Sequence, residues 1–189
     1  VGYADSLSSR VRGLRRLVRG GSWRHPGAPL RHRALERLRR TAGIDTRFVI
    51  RGHSMTGIAD DSARQEYARN ILETDYTLVA RGGGNFSYRL YEVLSCGRTP
   101  LFINTDCLLP FDDLIDWRKF VVWVESTDVD RIGEILKEHH DSLSPQEFEQ
   151  RQVDARRLCT DWLSPSGFYR NMHRCLPHDA SSAPRRLRA

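Results

Sequence analysis

The chain has 189 residues, with 30 Lys and Arg against 24 Asp and Glu and a formal net charge of +6. That length suits one ordinary domain with its own core and is short for two, and no apolar run approaches membrane-spanning length. Cys96, Cys107, Cys159 and Cys175 are scattered, without Cys-x-x-Cys spacing, which does not imply a disulfide framework and speaks against a zinc site.

Residues 1–4 read as a short strand, and residues 6–18 follow with Leu7, Val11, Leu14, Leu17 and Val18 at helical spacing. Gly20 and Gly21 end that helix, and residues 22–29, with Trp23, His25 and Pro26, read as a loop. A second basic helix is predicted over 30–41, with Leu35 and Leu38 on one side. Residues 46–50 read as a strand and 52–60 as a loop, before a helix at 62–73 that should bury Tyr67, Ile71 and Leu72. Strands are predicted at 76–80, 99–103 and 120–124, with a helix at 87–95 stopped by Gly97. Helices at 129–140 and 145–162 follow, the second with Ser144-Pro145-Gln146-Glu147 as its start signal, then a short helix at 168–176. Residues 177–189 turn to Ser, Ala, Pro and Arg and read as a disordered basic tail to a domain at 1–176. Alternating strands and helices make the expected fold α/β, a Rossmann-like parallel sheet flanked by helices, with extra C-terminal helices.

The charge is unevenly placed. Residues 1–40 hold eleven Arg against Asp5 and Glu36, and Arg185, Arg186 and Arg188 close the chain, so the centre is acidic. Basic ends can meet nucleic acid, anionic lipid or a polyanionic glycan, and can equally be solvated helix faces. The aromatic interleaving that base stacking needs is missing from the Arg-rich segments, so a nucleic-acid-binding module ranks last and no nucleic acid is expected as a partner.

The most informative stretch is Arg81-Gly82-Gly83-Gly84-Asn85-Phe86-Ser87, which joins an apolar strand to an amphipathic helix. Three glycines let the main chain approach a ligand, Asn85 or Ser87 can cap the helix, and the first-turn N–H groups favour an anion. The loop reads as a nucleotide or sugar-phosphate site. Four words then follow in order: Arg-Leu-Tyr-Glu (Arg89 to Glu92), Leu-Phe-Ile-Asn-Thr-Asp (Leu101 to Asp106), Leu-Pro-Phe-Asp-Asp (Leu109 to Asp113) and Ile-Asp-Trp (Ile115 to Trp117). In that order they resemble the exostosin-like glycosyltransferases, densely from Tyr76 to Trp123 and more thinly over 46–70.

The resemblance implies the C-terminal, donor-binding half of a two-lobed GT-B enzyme, with an N-terminal acceptor-binding half lying outside this chain. It implies inverting transfer of a sugar from a nucleotide-diphosphate donor to a glycan or other hydroxyl acceptor, with no cofactor or metal required. Gly82, Gly83, Gly84, Asn85 and Ser87 would cradle the diphosphate, with Arg89 beside it. Arg81 would offset leaving-group charge, with ion pairs to Asp75 or Asp106 as its structural alternative. Glu92 would accept from ribose hydroxyls, the alternative being an i, i+3 ion pair with Arg89. Asp106 would meet the donor sugar. Asp112 and Asp113 read equally well as caps of a helix before Leu114, Phe111 and Trp117 as packing, His53 as a solvated loop residue and Asp5 as a cap. Family members often carry Cys-Pro-Arg-Gly where this chain has Val79-Ala80-Arg81-Gly82. No carboxylate stands out as the base. An inactive donor-binding or regulatory domain is the alternative function. The lack of disulfide patterning suggests a bacterial-type cytoplasmic setting, with the Golgi lumen as the alternative if the parent carries an anchor.

Overall fold

The computed structural model describes residues 27–50 and 61–175. The expected strand at 1–4, the helix at 6–18 with its glycine stop, most of the loop at 22–29, the loop at 52–60 with His53, the cap at Asp5 and the basic tail lie outside the described residues. The elements are α1 (Gly27–Arg40), α2 (Asp61–Leu72), β1 (Tyr76–Val79), α3 (Tyr88–Ser95), β2 (Thr99–Asn104), β3 (Val122–Glu125), α4 (Ile132–Asp141), α5 (Pro145–Leu158) and α6 (Pro165–Asn171). Short 3-10 turns cover Trp117–Lys119 and Ser126–Arg131, and a π turn at Cys159–Leu163 joins α5 to α6.

The three strands are parallel in the order β1-β2-β3, with Leu78 opposite Leu101 and Leu101 opposite Val122. Successive strand side chains point to opposite faces, so each strand feeds two cores. Leu78, Leu101, Ile103, Val122 and Val124 meet Ala34, Leu35 and Leu38 of α1 and Ile132 and Leu136 of α4. Val79 and Phe102 meet Leu90, Val93 and Leu94 of α3, Ala155 and Leu158 of α5, and Ile71 of α2. Each such aliphatic side chain, fully buried, contributes about 1.5–3 kcal/mol. The result is the expected α/β architecture, a parallel sheet covered on both faces, with α5 and α6 as the C-terminal additions.

Local signals explain most boundaries. Gly97 ends α3 at φ +63°, a conformation that glycine adopts without strain, with its N–H on the Leu94 carbonyl at 3.0 Å and that of Arg98 on Val93 at 3.1 Å. Ser144 and Glu147 form a reciprocal capping box at the start of α5, with Pro145 in the first turn. The same Ser-Pro signal recurs at Ser164-Pro165. There Ser164 Oγ accepts from Gly167 N–H at 3.0 Å, so α6 begins at Pro165 and α5 stops short of the expected 162.

Four expectations are corrected. Residues 46–50 form no strand: their β-branched and aromatic residues suit a pleated surface, but no described strand pairs with them. Instead Asn70 Nδ2 donates to the Arg47 carbonyl at 3.2 Å and Phe48 packs against the α1–α4 core. A cavity of about 270 Å³ is lined both by this run and by Tyr76, Thr77 and Leu78 of β1. Leu72 is 49% exposed, not buried, because α2 is anchored through Ile71, which is 2% exposed. No helix starts at Leu114, so Asp112 and Asp113 cap nothing; they sit exposed in a turn bent back by Leu114 and Ile115 N–H groups on the Phe111 carbonyl. The cap expected for α3 is also missing, as described below. Phe111 and Trp117 are core residues, Trp117 donating its indole N–H to the Pro110 carbonyl at 3.2 Å.

Candidate functional site

The site is built on the carboxyl ends of all three strands, where open α/β sheets hold their ligands. As the chain leaves β1, the first turn of α1 seats directly on it: a Cβ added at Gly27 would lie 2.2 Å from the Arg81 carbonyl oxygen. Arg31 of α1 donates to the carbonyls of Ala80 and Arg81 at 3.4 and 3.1 Å. The loop that follows is closed on itself, Gly82 N–H donating to the Phe86 carbonyl at 3.1 Å.

Asn85 ties this loop to the exit of β2. Its Nδ2 donates to the carbonyls of Thr105 and Asp106 at 3.0 and 3.1 Å, and Thr105 Oγ1 donates back to Asn85 Oδ1 at 2.6 Å. Asp106 stands at φ +56° with its N–H on Asn104 Oδ1 at 3.1 Å. Asn104 Nδ2 in turn donates to Glu125 Oε2 at the end of β3, and Trp123 Nε1 to Glu125 Oε1, both at 2.7 Å. These donors, Trp123 first and then Asn104, hold the Glu125 carboxyl below its ordinary pKa range. One run of polar side chains thus fastens the three strand ends together.

Neither expected cap serves α3. Asn85 is engaged with β2, and Ser87, although at the N-cap position with φ −142°, makes no side-chain cap hydrogen bond. In the first turn of α3 the Leu90 N–H donates to the Ser87 carbonyl at 3.3 Å, and the helix start carries the positive end of the dipole. Among the described glycines only Gly43 and Gly97 take positive φ, so Gly82, Gly83 and Gly84 are not required for left-handed backbone. A Cβ at Gly82 would meet nothing nearer than 3.8 Å.

Arg81 makes neither ion pair that sequence offered as its structural role. Among the described residues it has no carboxylate partner, and its Nε is buried without a hydrogen bond. Cys107 lies close by; burial raises its thiol pKa, and backbone hydrogen bonds, with a smaller contribution from Arg81, offset that only in part, so it stays a thiol rather than a nucleophile. Glu92 and Arg89 form no direct pair either. Tyr67 of α2 stands between them, its hydroxyl donating to Glu92 Oε2 and accepting from Arg89 Nε at 3.2 Å, with the guanidinium 5.4 Å from the ring centroid. Sequence reasoning placed Tyr67 in the core; its periodicity showed the buried ring and gave no signal of the hydroxyl's partners.

The concavity shared by Arg81, Asn85, Ser87 and Thr105 is shallow, about 20 Å³. The larger cavity lies at the edge of β1, away from the glycine loop, and includes Arg89 but not Arg81. Among the described residues no three His, Cys, Asp or Glu side chains gather to hold a metal ion, and no helix is long and apolar enough to cross a membrane.

A parallel sheet with helices on both faces and a glycine-bearing strand-to-helix loop at its carboxyl edge defines a Rossmann-like α/β domain. The chain belongs to the exostosin GT47 domain family, whose match spans residues 12–139. It is 34% identical over 104 residues to Exostosin-1 homolog of Caenorhabditis elegans, covering 55% of this chain and 26% of that protein. Against Probable glucuronosyltransferase 47 A of Physcomitrium patens it is 29% identical over 122 residues, 61% of this chain and 27% of the relative. Exostosin-1 of Drosophila melanogaster is 27% identical over 74 residues, 39% of this chain and 10% of its own length. The chain therefore spans about a quarter or less of the length of these relatives.

Proposed function

We propose that this glycosyltransferase-family domain binds the nucleoside diphosphate of a nucleotide sugar at the loop from Gly82 to Ser87, as the donor half of a GT-B enzyme of polysaccharide synthesis. The family and the relatives' names support glycosyl transfer. The observation that carries the location is Arg81, a cation without a carboxylate partner among the described residues, beside three glycines that need no left-handed backbone and a helix start that neither Asn85 nor Ser87 caps.

In this reading the diphosphate lies on the first turn of α3, where N–H groups and dipole favour an anion. Arg81 binds it through two N–H donors, with Arg89 adding positive charge nearby. Glu92 accepts from the ribose hydroxyls, Asp106 meets the donor sugar, and Asn85 fixes the loop. The acceptor oxygen, relieved of its proton by a base on the acceptor half, attacks the anomeric carbon as the bond from that carbon to the phosphate oxygen breaks. The electron pair leaves with the nucleoside diphosphate and the anomeric configuration inverts. Arg81 stabilises the charge that grows on the leaving oxygen, an interaction stronger in the transition state than before it. The shallow shelf favours a corollary: the chain alone binds donor without turning it over.

Calorimetric titration with uridine and guanosine diphosphates tests the reading. One of them should bind, and Glu92→Gln should weaken it by about 1.5–3 kcal/mol, the range for hydrogen bonds to charged groups. Unchanged affinity in Glu92→Gln together with a large loss of stability would make Glu92 structural. A nucleotide-sugar hydrolysis assay on the same samples separates binding from turnover.

A further inference from the structure

Arg89 and Glu92 sit three residues apart on α3, a spacing that normally yields a direct ion pair. Here a residue from another helix intervenes. The Tyr67 hydroxyl uses its one proton on Glu92 Oε2 and a lone pair on Arg89 Nε–H, while the Arg89 guanidinium lies over the Tyr67 ring. Burial, the largest cause, pushes the Tyr67 hydroxyl up to about 12, so it stays protonated and donating at neutral pH. A carboxylate has about four acceptor positions. With one taken by Tyr67 and none by Arg89, Glu92 keeps acceptors on both oxygens and remains exposed.

We propose that Tyr67 is the positioning residue of the ribose subsite: it holds Glu92 by one oxygen and keeps Arg89 from pairing with it, so that Glu92 selects ribonucleoside over 2′-deoxyribonucleoside diphosphates. The proposal rests on the donor-site reading above. Two vicinal hydroxyls bring two donors to the open carboxylate, whereas a 2′-deoxy sugar brings one. Without the Tyr67 hydroxyl, Arg89 swings onto Glu92 at the i, i+3 spacing, and the acceptors meant for the second hydroxyl are consumed.

The test is a titration of the chain with uridine diphosphate and its 2′-deoxy form, in the unmodified protein, Tyr67→Phe and Arg89→Gln, with the thermal midpoint of each. The unmodified protein should prefer the ribonucleotide about tenfold or more, as one hydrogen bond to a charged group allows. Tyr67→Phe should reduce that preference to about twofold, mainly by weakening the ribonucleotide. Arg89→Gln should weaken both nucleotides alike and keep the preference, because Tyr67 still holds Glu92. That second variant decides the matter if Tyr67→Phe does not fold. An undiminished preference in Tyr67→Phe, or its loss in Arg89→Gln, overturns the role of Tyr67 and leaves the donor site standing. If the unmodified protein binds neither nucleotide, and likewise neither form of guanosine diphosphate, the donor site itself falls and this inference with it.

Discussion

Asn85 and Thr105 are bonded to each other twice, Thr105 Oγ1 donating to Asn85 Oδ1 at 2.6 Å and Asn85 Nδ2 donating to the Thr105 carbonyl at 3.0 Å. This exchange joins the glycine loop after β1 to the exit of β2. It converts what would be an independent surface loop into part of the sheet edge.

Asn85→Ala removes both bonds and the third to the Asp106 carbonyl. Asn85 is exposed, so water replaces these bonds and stability should fall by only about 1–2 kcal/mol. Nucleotide affinity should fall further, because a loosened loop must be ordered on binding. Denaturant midpoints beside calorimetric affinities check this; a stability loss with undiminished affinity would separate the loop from the ligand.

Gly27→Ala sets two effects against each other. Alanine is the better helix former by about 0.5–1 kcal/mol. Its Cβ, however, would stand 2.2 Å from the Arg81 carbonyl oxygen, which Arg31 holds in place. Sterics should win, with a net loss of about 1–3 kcal/mol as α1 is pushed off the strand exit. A urea midpoint that rises on substitution would show that the α1 start does not bear on Arg81.

Much of this arrangement was legible from local signals. The parallel sheet, α3 and its Gly97 stop, and the Ser144 capping box follow from periodicity and end residues, which act within a few positions. The corrected features depend on distant partners. Residues 46–50 have strand composition, but pairing requires a neighbour that composition cannot supply. Asn85 looks like a cap until Thr105, twenty residues on, takes its side chain. Tyr67 reads as an apolar ring on a helix face, because which carboxylate its hydroxyl meets is decided by the packing of α2 against α3.

Asp130 joins α1 to the turn after β3 by accepting from Arg33 and Arg37. Those donors, Arg33 foremost, lower its pKa from 3.8 to about 2. A lowered carboxylate stabilises the fold fully above its unfolded pKa and loses that contribution as pH falls through the folded one. The contribution should be present above about pH 4 and disappear towards pH 2. Asp130→Asn should therefore lower stability at neutral pH and flatten the acid limb in that window, read from urea midpoints across pH. An acid limb of undiminished steepness would assign it to other carboxylates.

Amide shift mapping locates the bound diphosphate most directly. On titration with uridine or guanosine diphosphate at millimolar concentration, the first and largest shifts should come from Gly82 to Ser87, with Tyr88 and Arg89 at the start of α3 close behind. Shifts confined to the Arg-rich α1, with the Gly82 to Ser87 amides unmoved, would contradict the assignment.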